Sequence, residues 1–380
     1  VAGEDEDRIL IVGAGLAGSL LALVLGRAGR AVVVVDPRRA PAASFRIEKL
    51  DEDQIDRLRR LGVESCFEGP CYPPPGAPGA FPAEALPALA DCGAYYRDWV
   101  ASIRAAWPPC VEFVEDSVTA IEAGPARQTV ATRNGLRLDG RLVVVATGGG
   151  DDLLTPLGLT RRVVSPGHSL TLGFSVQAEK PIPAQILRAP AGSALAYAGV
   201  FPIAGEIRIN LFGYLPSDHD WIRRMARAPL ETAGERFPAL GDLLAGARVT
   251  RRCEARGVDL YATEGVRRSG VVVIGDAFHA PCPASGTGLT RILNDVERLA
   301  QVWLPLWLAT PGMDAGKIGQ FYADPVKRRL DAQSLSLSLR CRGAAVGRGP
   351  YWTARRLAGR ARLWLTTSRF QRPFGLPLPG

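Results

Sequence analysis

The chain has 380 residues, 47% apolar and 22% charged, a balance that excludes intrinsic disorder and leaves room for two domains or one with a large insertion. Its formal charge of +8 comes with no nucleic-acid-binding motif, and no apolar run reaches the roughly 18 residues that span a bilayer, so neither a nucleic-acid partner nor a transmembrane segment is expected. Seven cysteines without a CxxC pair, and three histidines at no metal-ligand spacing, argue against a zinc site or a disulfide framework.

The first residues, VAGEDEDRIL, are acidic where a secretion signal would be basic, and the expectation is a cytoplasmic protein. RILIVGAGLAGSLLALVLGRAGRAVVVVD then predicts a strand over 8–12, a helix over 16–26 and a second strand over 31–35. Gly13, Gly15 and Gly18 fit GxGxxG between strand and helix. The first permits a tight turn, the second lets a pyrophosphate approach the backbone, and the third lets helix pack on strand. Leu16 and Ala17 head the helix, whose free N–H groups and positive dipole end favour phosphate. Asp36 closes the second strand where an acid suits a ribose hydroxyl. Strand, turn, helix, strand and acid together predict a bound dinucleotide, and do not separate NAD from FAD.

Residues 66–88 are too proline-rich for regular structure and read as an ordered loop over a cleft. Short alternating runs over 111–146 read as a small β-meander feeding back into the cofactor sheet. LVVVATGGGDDLLTPLGL, 142–159, is a strand running into glycines, so a further cofactor contact is expected at 146–149, with Thr147 and Gly148 at its centre.

Within 166–261, HSLTLGFSVQAE and EIRINLFGYL are strand-like. The latter alternates Ile207, Ile209 and Leu211 against Arg208, Asn210, Phe212 and Tyr214. In water the mixed face is ordinary sheet surface. Facing a cofactor, it suits an aromatic or polyketide-like substrate, with Phe201, Arg208, Asn210 and Phe212 as contacts.

GVVVIGDAFHAPCPASGTGLTRILNDVERLA, 270–300, predicts a strand over 271–274 ending at Asp276 and a helix over 289–302. An acid at a strand's carboxyl end can accept from sugar-like hydroxyls, and the helix start can stabilise negative charge. His279 could act as a general base or shape the loop. Cys282 reads as a packing residue, since no activating base accompanies it. From 340 to 372 there are nine arginines and no acid, interleaved with Trp352, Leu357, Leu363, Trp364 and Phe370. This segment suits a peripheral membrane contact, docking to an acidic carrier protein, or a cover for the preceding domain with its arginines in water.

GDAFHAPCPASGTG, at Gly275, Asp276, Ala277, His279, Pro283, Gly286 and Gly288, resembles the second fingerprint of the FAD-dependent monooxygenase superfamily typified by para-hydroxybenzoate hydroxylase. With the first fingerprint, the resemblance spans roughly 8–330. It implies an α/β fold: a Rossmann-like FAD-binding domain of the GR2 type (1–165 and 262–310), an inserted β-sheet substrate domain (166–261) and C-terminal helices (311–380). By similarity FAD would meet Gly13, Gly15, Leu16, Ala17, Gly18, Asp36, Arg46, Arg97, Val118, Thr147, Gly148, Asp276, Pro283, Gly286, Thr287, Gly288 and Leu289.

The implied reaction inserts one oxygen atom from O2 through a flavin C4a-hydroperoxide, with NAD(P)H as electron donor directly or through a separate flavin reductase. The sequence departs from the family where its acidic DG motif has become Thr147 within ATGGG, and where Thr287 and Thr290 replace Gln and Asn. These departures keep a flavin-dependent reductase, dehydrogenase or cyclase as the alternative. A halogenase is disfavoured by the lack of a WxWxIP-type signature.

Overall fold

ILIV at 9–12, VVVV at 32–35, LVVV at 142–145 and VVV at 271–273 are apolar throughout and too short for helices. That is the pattern of parallel strands buried on both faces. The computed structural model describes residues 7–41, 47–68, 93–180, 182–190, 192–203 and 205–354. Arg46, the proline-rich stretch beyond Glu68 and the basic tail beyond Ala354 lie outside these residues. The chain forms two units, residues 1–166 with 258–336, and residues 167–257 with 337–380.

The first unit opens with β1 (Ile9–Val12), α1 (Leu16–Arg27), β2 (Val32–Asp36), β3 (Ile47–Lys49) and α2 (Glu52–Arg60). A capping box of Asp51 and Gln54 starts α2. There follow α3 (Ser65–Glu68), β4 (Gly93–Tyr95), α4 (Tyr96–Ala105), β5 (Val111–Glu115), β6 (Val118–Ala123), β7 (Gln128–Thr132), β8 (Arg137–Gly140) and β9 (Leu142–Val145).

The second unit contains most of β10 (Thr160–Gln177), then β11 (Gln185–Arg188), β12 (Leu195–Ile203), β13 (Glu206–Gly213), α5 (Asp220–Arg227), α6 (Pro229–Arg236), α7 (Pro238–Leu243) and the start of β14 (Arg248–Glu264). The chain ends with β15 (Val271–Val273), β16 (His279–Ala280), α8 (Gly288–Arg298), α9 (Leu304–Leu308), α10 (Ala315–Ala323) and α11 (Pro325–Val346).

The four apolar runs lie in one parallel sheet of order β15-β9-β1-β2-β5. Val12 stands beside Val35 and Val145, and Val145 beside Val273, so neighbouring strands end level. On one face α1 is buried along its length, its leucines meeting Trp99, Val100 and Ile103 of α4 and Leu289, Leu293 and Val296 of α8. The expected β-meander over 111–146 is corrected at its start. Val111–Glu115 pairs in parallel with β2 as the sheet's edge, and only β6, β7 and β8 form the antiparallel meander. Alternation alone cannot tell a half-exposed edge strand from a hairpin strand. The predicted helix over 289–302 is α-helical only to Arg298; Leu299–Trp303 widens to a π-turn just before Pro305, which has no N–H to donate.

In the second unit the strand order is β11-β12-β13-β10-β14. Leu170, Leu172, Phe174 and Val176 join Ile207, Ile209 and Leu211 on one face, packed with Trp221, Met225, Phe237 and Leu240 from the helices.

The first unit also buries a set of charges. Lys327 Nζ lies 2.5 Å from Asp295 Oδ1 and 3.2 Å from Asp331 Oδ2, and over the rings of Phe278 and Phe321 at 4.3 and 4.9 Å. Arg291 Nε reaches Asp331 at 2.9 Å. Burial would raise the Asp331 carboxyl, but Lys327 and Arg291 hold it below the usual carboxylate range. Lys327→Met, which strands Asp295 without its counter-charge, is expected to destabilise the protein by about 3–5 kcal/mol in urea unfolding.

Candidate functional site

The carboxyl ends of β1, β9 and β15 each run into a glycine turn, and the parallel register places these turns side by side. Gly13 has φ +101°, and a Cβ there would stand 2.6 Å from the Ala146 carbonyl oxygen. A Cβ on Gly18 would stand 1.9 Å from the Gly13 oxygen, so the strand, the turn and α1 can close up only with glycine at both positions. Leu16 and Ala17 are buried in the helix's first turn, where the leading N–H groups lack intrahelical partners.

Asp36, 6% exposed, accepts from Ala14 N at 2.8 Å and from Arg38 N at 2.9 Å. It therefore braces the glycine turn, a role the sequence reading did not assign. Tyr96 Oη accepts from Leu16 N at 3.0 Å, and a Gly15 Cβ would lie 3.4 Å from that oxygen. Arg104 Nε donates to Ala14 O at 3.1 Å and its Nη1 to Arg39 O at 2.6 Å, while burial lowers its pKa. Neither residue was singled out from sequence; their spacing of eight on α4, which sets them on one side of the helix, was the available signal. Arg97 is 43% exposed, paired with Asp98 at 3.3 Å and stacked 5.5 Å from the Tyr95 ring centroid.

After β9, Ala146 is buried, Gly148 has φ +65°, and Thr147 Oγ1 donates to Gly150 O at 3.4 Å. Val118 opens β6, pairs with Thr132 and packs partly buried against the sheet's other apolar layer.

After β15, Gly275 has φ +61° and its N–H donates to Asp295 Oδ2 at 3.1 Å. Asp276 follows in a 3-10 turn and its carbonyl accepts from Tyr261 Oη at 2.8 Å. Pro283–Ser285 forms a second 3-10 turn ended by Gly286 in the left-handed region, and Gly288 and Leu289 open α8. Thr287 Oγ1 bonds Ser285 Oγ at 2.8 Å and Ser334 Oγ at 2.6 Å, and Thr290 Oγ1 accepts from Gln54 Nε2 at 2.9 Å. The two residues that depart from the family pattern thus tie this loop to α11 and α2.

Burial, aided by Arg291, pushes His279 down to about 3. Such an imidazole is neutral and too weak a base to abstract protons at neutral pH, which leaves the loop-shaping alternative. The Cys282 side chain is buried. Among the described residues no group of three His, Cys, Asp or Glu could hold a metal.

In the second unit, Arg208, Asn210 and Phe212 lie on β13, and Phe201 on β12 pairs with Arg208. They share the sheet face opposite the apolar one with Ser169, Thr171 and Ser175 of β10. Arg208 and Asn210 are 1% and 3% exposed. Asn210 Oδ1, Thr171 Oγ1 and Ser169 Oγ are buried and make no hydrogen bond among the described residues. Phe212 and Tyr197 stack with ring centroids 4.6 Å apart. Arg208 lies close enough to oppose the rise of the Cys253 thiol, which burial nonetheless pushes up to about 12.

The donors of the first unit fit a flavin dinucleotide. Glycines clear the approach to α1, amides head both α1 and α8, and carboxylates stand where β2 and β15 end. Residues 6–106 match a family model described as FAD binding domain. No curated protein sequence matches the chain significantly. Among solved structures, p-nitrophenol 4-monooxygenase of Pseudomonas putida DLL-E4 is similar at a TM-score of 0.71 and 19% identity, over 93% of each chain. HpxO of Klebsiella pneumoniae, solved with FAD and uric acid, gives 0.68 and 18%, over 93% of this chain and 92% of that one. A Diels-Alderase from the biosynthetic pathway of pyrroindomycins gives 0.68 and 18%, over 94% of this chain and 76% of that one. Flavin-dependent halogenases share the fold as well. The chain carries an FAD-binding domain on a flavoprotein fold.

The neutral His279 sets a pH dependence. Its folded pKa of about 3 lies below the ordinary 6.5, so its contribution is intact above pH 6.5 and is lost as pH falls towards 3. Unfolding free energy should drop by about 2 kcal/mol between pH 7.5 and 5 from this group alone. His279→Gln should flatten that part of the profile, measured by urea unfolding across the range.

Proposed function

We propose that this protein is an FAD-dependent monooxygenase that places one oxygen atom from O2 into an aromatic or polyketide-like small molecule. The observation that carries the reading is the convergence, at one edge of a parallel sheet, of three glycine turns that leave backbone amides and two carboxylates, Asp36 and Asp276, for a dinucleotide. Reduced FAD, once bound, supplies the oxygen-activating chemistry. The protein's own part is to bind, orient and exclude water. The α1 amides and Gly15 meet the pyrophosphate, Asp36 the ribose and Asp276 the ribityl hydroxyls. Pro283 and the Gly286–Leu289 turn would hold the isoalloxazine, and the α8 amides would stabilise negative charge on it. Arg97, Val118, Thr147 and Gly148 complete the proposed contacts, with Arg46 from outside the described residues.

The substrate contacts in this reading are Phe201, Arg208, Asn210 and Phe212. Asn210 Oδ1 and Thr171 Oγ1 are buried acceptors that a phenol or enol hydroxyl would satisfy. Asn210→Leu should raise KM about tenfold or more with little change in kcat, since it removes binding shared by ground and transition states.

Electrons come from NAD(P)H. Thr147 in place of an acid favours delivery through a separate flavin reductase. The same departure supports the second reading, a flavin-dependent reductase, dehydrogenase or cyclase. The deciding experiment reduces the bound FAD chemically without oxygen, mixes it with isotopically labelled dioxygen and a panel of phenols and polyketides, and follows absorbance and product mass. A product carrying one labelled oxygen establishes the monooxygenase. Turnover with no label moves the assignment to the second reading. Supplying a flavin reductase with NADH should sustain turnover where NADPH alone does not.

A further inference from the structure

Two side chains of the first unit stand between its second and third glycine turns and have no role so far. Arg161, near the start of β10, donates through Nη1 to Gly149 O at 2.7 Å and through Nη2 to Gly150 O at 2.7 Å and Gly148 O at 3.3 Å. One guanidinium thus gathers the carbonyls of three consecutive residues. It is 13% exposed and stacks on the Tyr261 ring, 4.4 Å from the centroid. The Tyr261 phenol donates to Asp276 O at 2.8 Å. The turn after β9 and the turn after β15 are therefore joined through a single stacked pair. Arg161 Nε is buried and makes no hydrogen bond among the described residues, and Nη1 lies 3.8 Å from Asp151 Oδ2, a loose ion pair with a side chain that is 65% exposed. The guanidinium is thus held chiefly by backbone carbonyls at 2.7 Å, with the Asp151 carboxylate more than an ångström farther off.

The planar peptide sets each N–H opposite its carbonyl. Carbonyls turned onto Arg161 direct the amides of the same turn to the far side, and the stack fixes how that turn faces Asp276. An acid within this turn would do comparable work from inside. Here Thr147 bonds only to Gly150 O, a long contact of 3.4 Å, and the charge comes instead from the next strand.

We propose that Arg161 and Tyr261 are positioning residues for FAD. They lock the 148–150 turn to the Asp276 turn, so that both are set for the cofactor before it binds. The proposal rests on the FAD reading and extends it to residues that do not touch the cofactor. Arginine is required because a planar fork serves several carbonyls and stacks on a ring at once, which a lysine point charge does not.

The test has two arms on the full chain. In the apoprotein, hydrogen exchange should rise in both turns for Arg161→Lys, and in the 275–278 segment for Tyr261→Phe. Flavin fluorescence titration should then show each variant with FAD affinity weakened by about tenfold or more, and the double variant no weaker than the worse single one, because both act through one stack. A purely structural role would lower the melting temperature while leaving FAD affinity within about tenfold, or would give effects that multiply; either result overturns the proposal. Should the unaltered chain fail to bind FAD, the functional reading fails on its own. Exchange in the apoprotein still decides the pinning: unchanged exchange at 147–151 in Arg161→Lys rejects it.

Discussion

Asp295 is the constraint to which the site elements of the first unit answer. Its side chain has no solvent exposure, and an isolated carboxylate there would cost far more than the protein's net stability. It is tolerated because Oδ1 meets the Lys327 ammonium and Oδ2 takes the Gly275 N–H. One donor comes from α11 and the other from the turn after β15. Helix, helix and turn must therefore assemble together or leave a buried charge open. Lys327 is itself shared with Asp331, and Asp331 with Arg291 of α8, whose Nη1 holds His279 O. The chain of charge runs from the last helix to the loop after β15, and burial of each member depends on its neighbours.

The other two turns are held on the same plan by different groups. Around β1, Asp36 takes the Ala14 amide, Tyr96 the Leu16 amide and Arg104 the Ala14 carbonyl. Around β9, Gly13 and Ala146 approach too closely for any side chain to intervene. The β1 turn is thus gripped by side chains from β2 and α4, and the turn after β9 by Arg161 of β10. Turns held in this way lose little freedom when a ligand arrives. Hydrogen bonds to a charged group contribute about 1.5–3 kcal/mol each, enough for a few of them to fix a loop whose glycines would otherwise sample many conformations.

How far this was legible in the sequence follows from what each residue bonds to. The parallel strands were plain, because burial on both faces leaves an uninterrupted β-branched run such as VVVVD at 32–36. The glycines were plain as well, because Gly13, Gly15 and Gly18 answer to backbone geometry at a fixed spacing. Arg104, Arg161 and Tyr96 were missed because their partners are main-chain atoms, and a carbonyl has no signature in the sequence. Thr287 and Thr290 read as losses of family contacts; the structure shows their hydroxyls engaged with Ser334 and Gln54, residues that only the fold brings near. The assignment of 111–115 to a meander failed for a related reason. VEFVE alternates on an edge strand as it would in a hairpin, and only its parallel register with β2, from Val32–Val111 to Asp36–Glu115, separates the two.

The second unit poses the opposite question, since its sheet keeps a polar face where an apolar one would be more stable. Asn210 Oδ1 and Thr171 Oγ1 are buried and make no hydrogen bond among the described residues, and a polar atom left in that state costs about 1–3 kcal/mol. A polar group of matching geometry, from a ligand or an ordered water, would recover that cost. A face of this kind stores selectivity, because a molecule lacking the matching hydroxyl leaves the acceptors stranded. In the proposed reading, the Tyr197–Phe212 stack beside them would favour a flat, ring-bearing substrate. The Cys253 thiol stays protonated and so offers no nucleophile. On the proposed reading, recognition belongs to this face and cofactor binding to the amide turns of the other unit, so that bond-making falls to the cofactor and orientation to the protein.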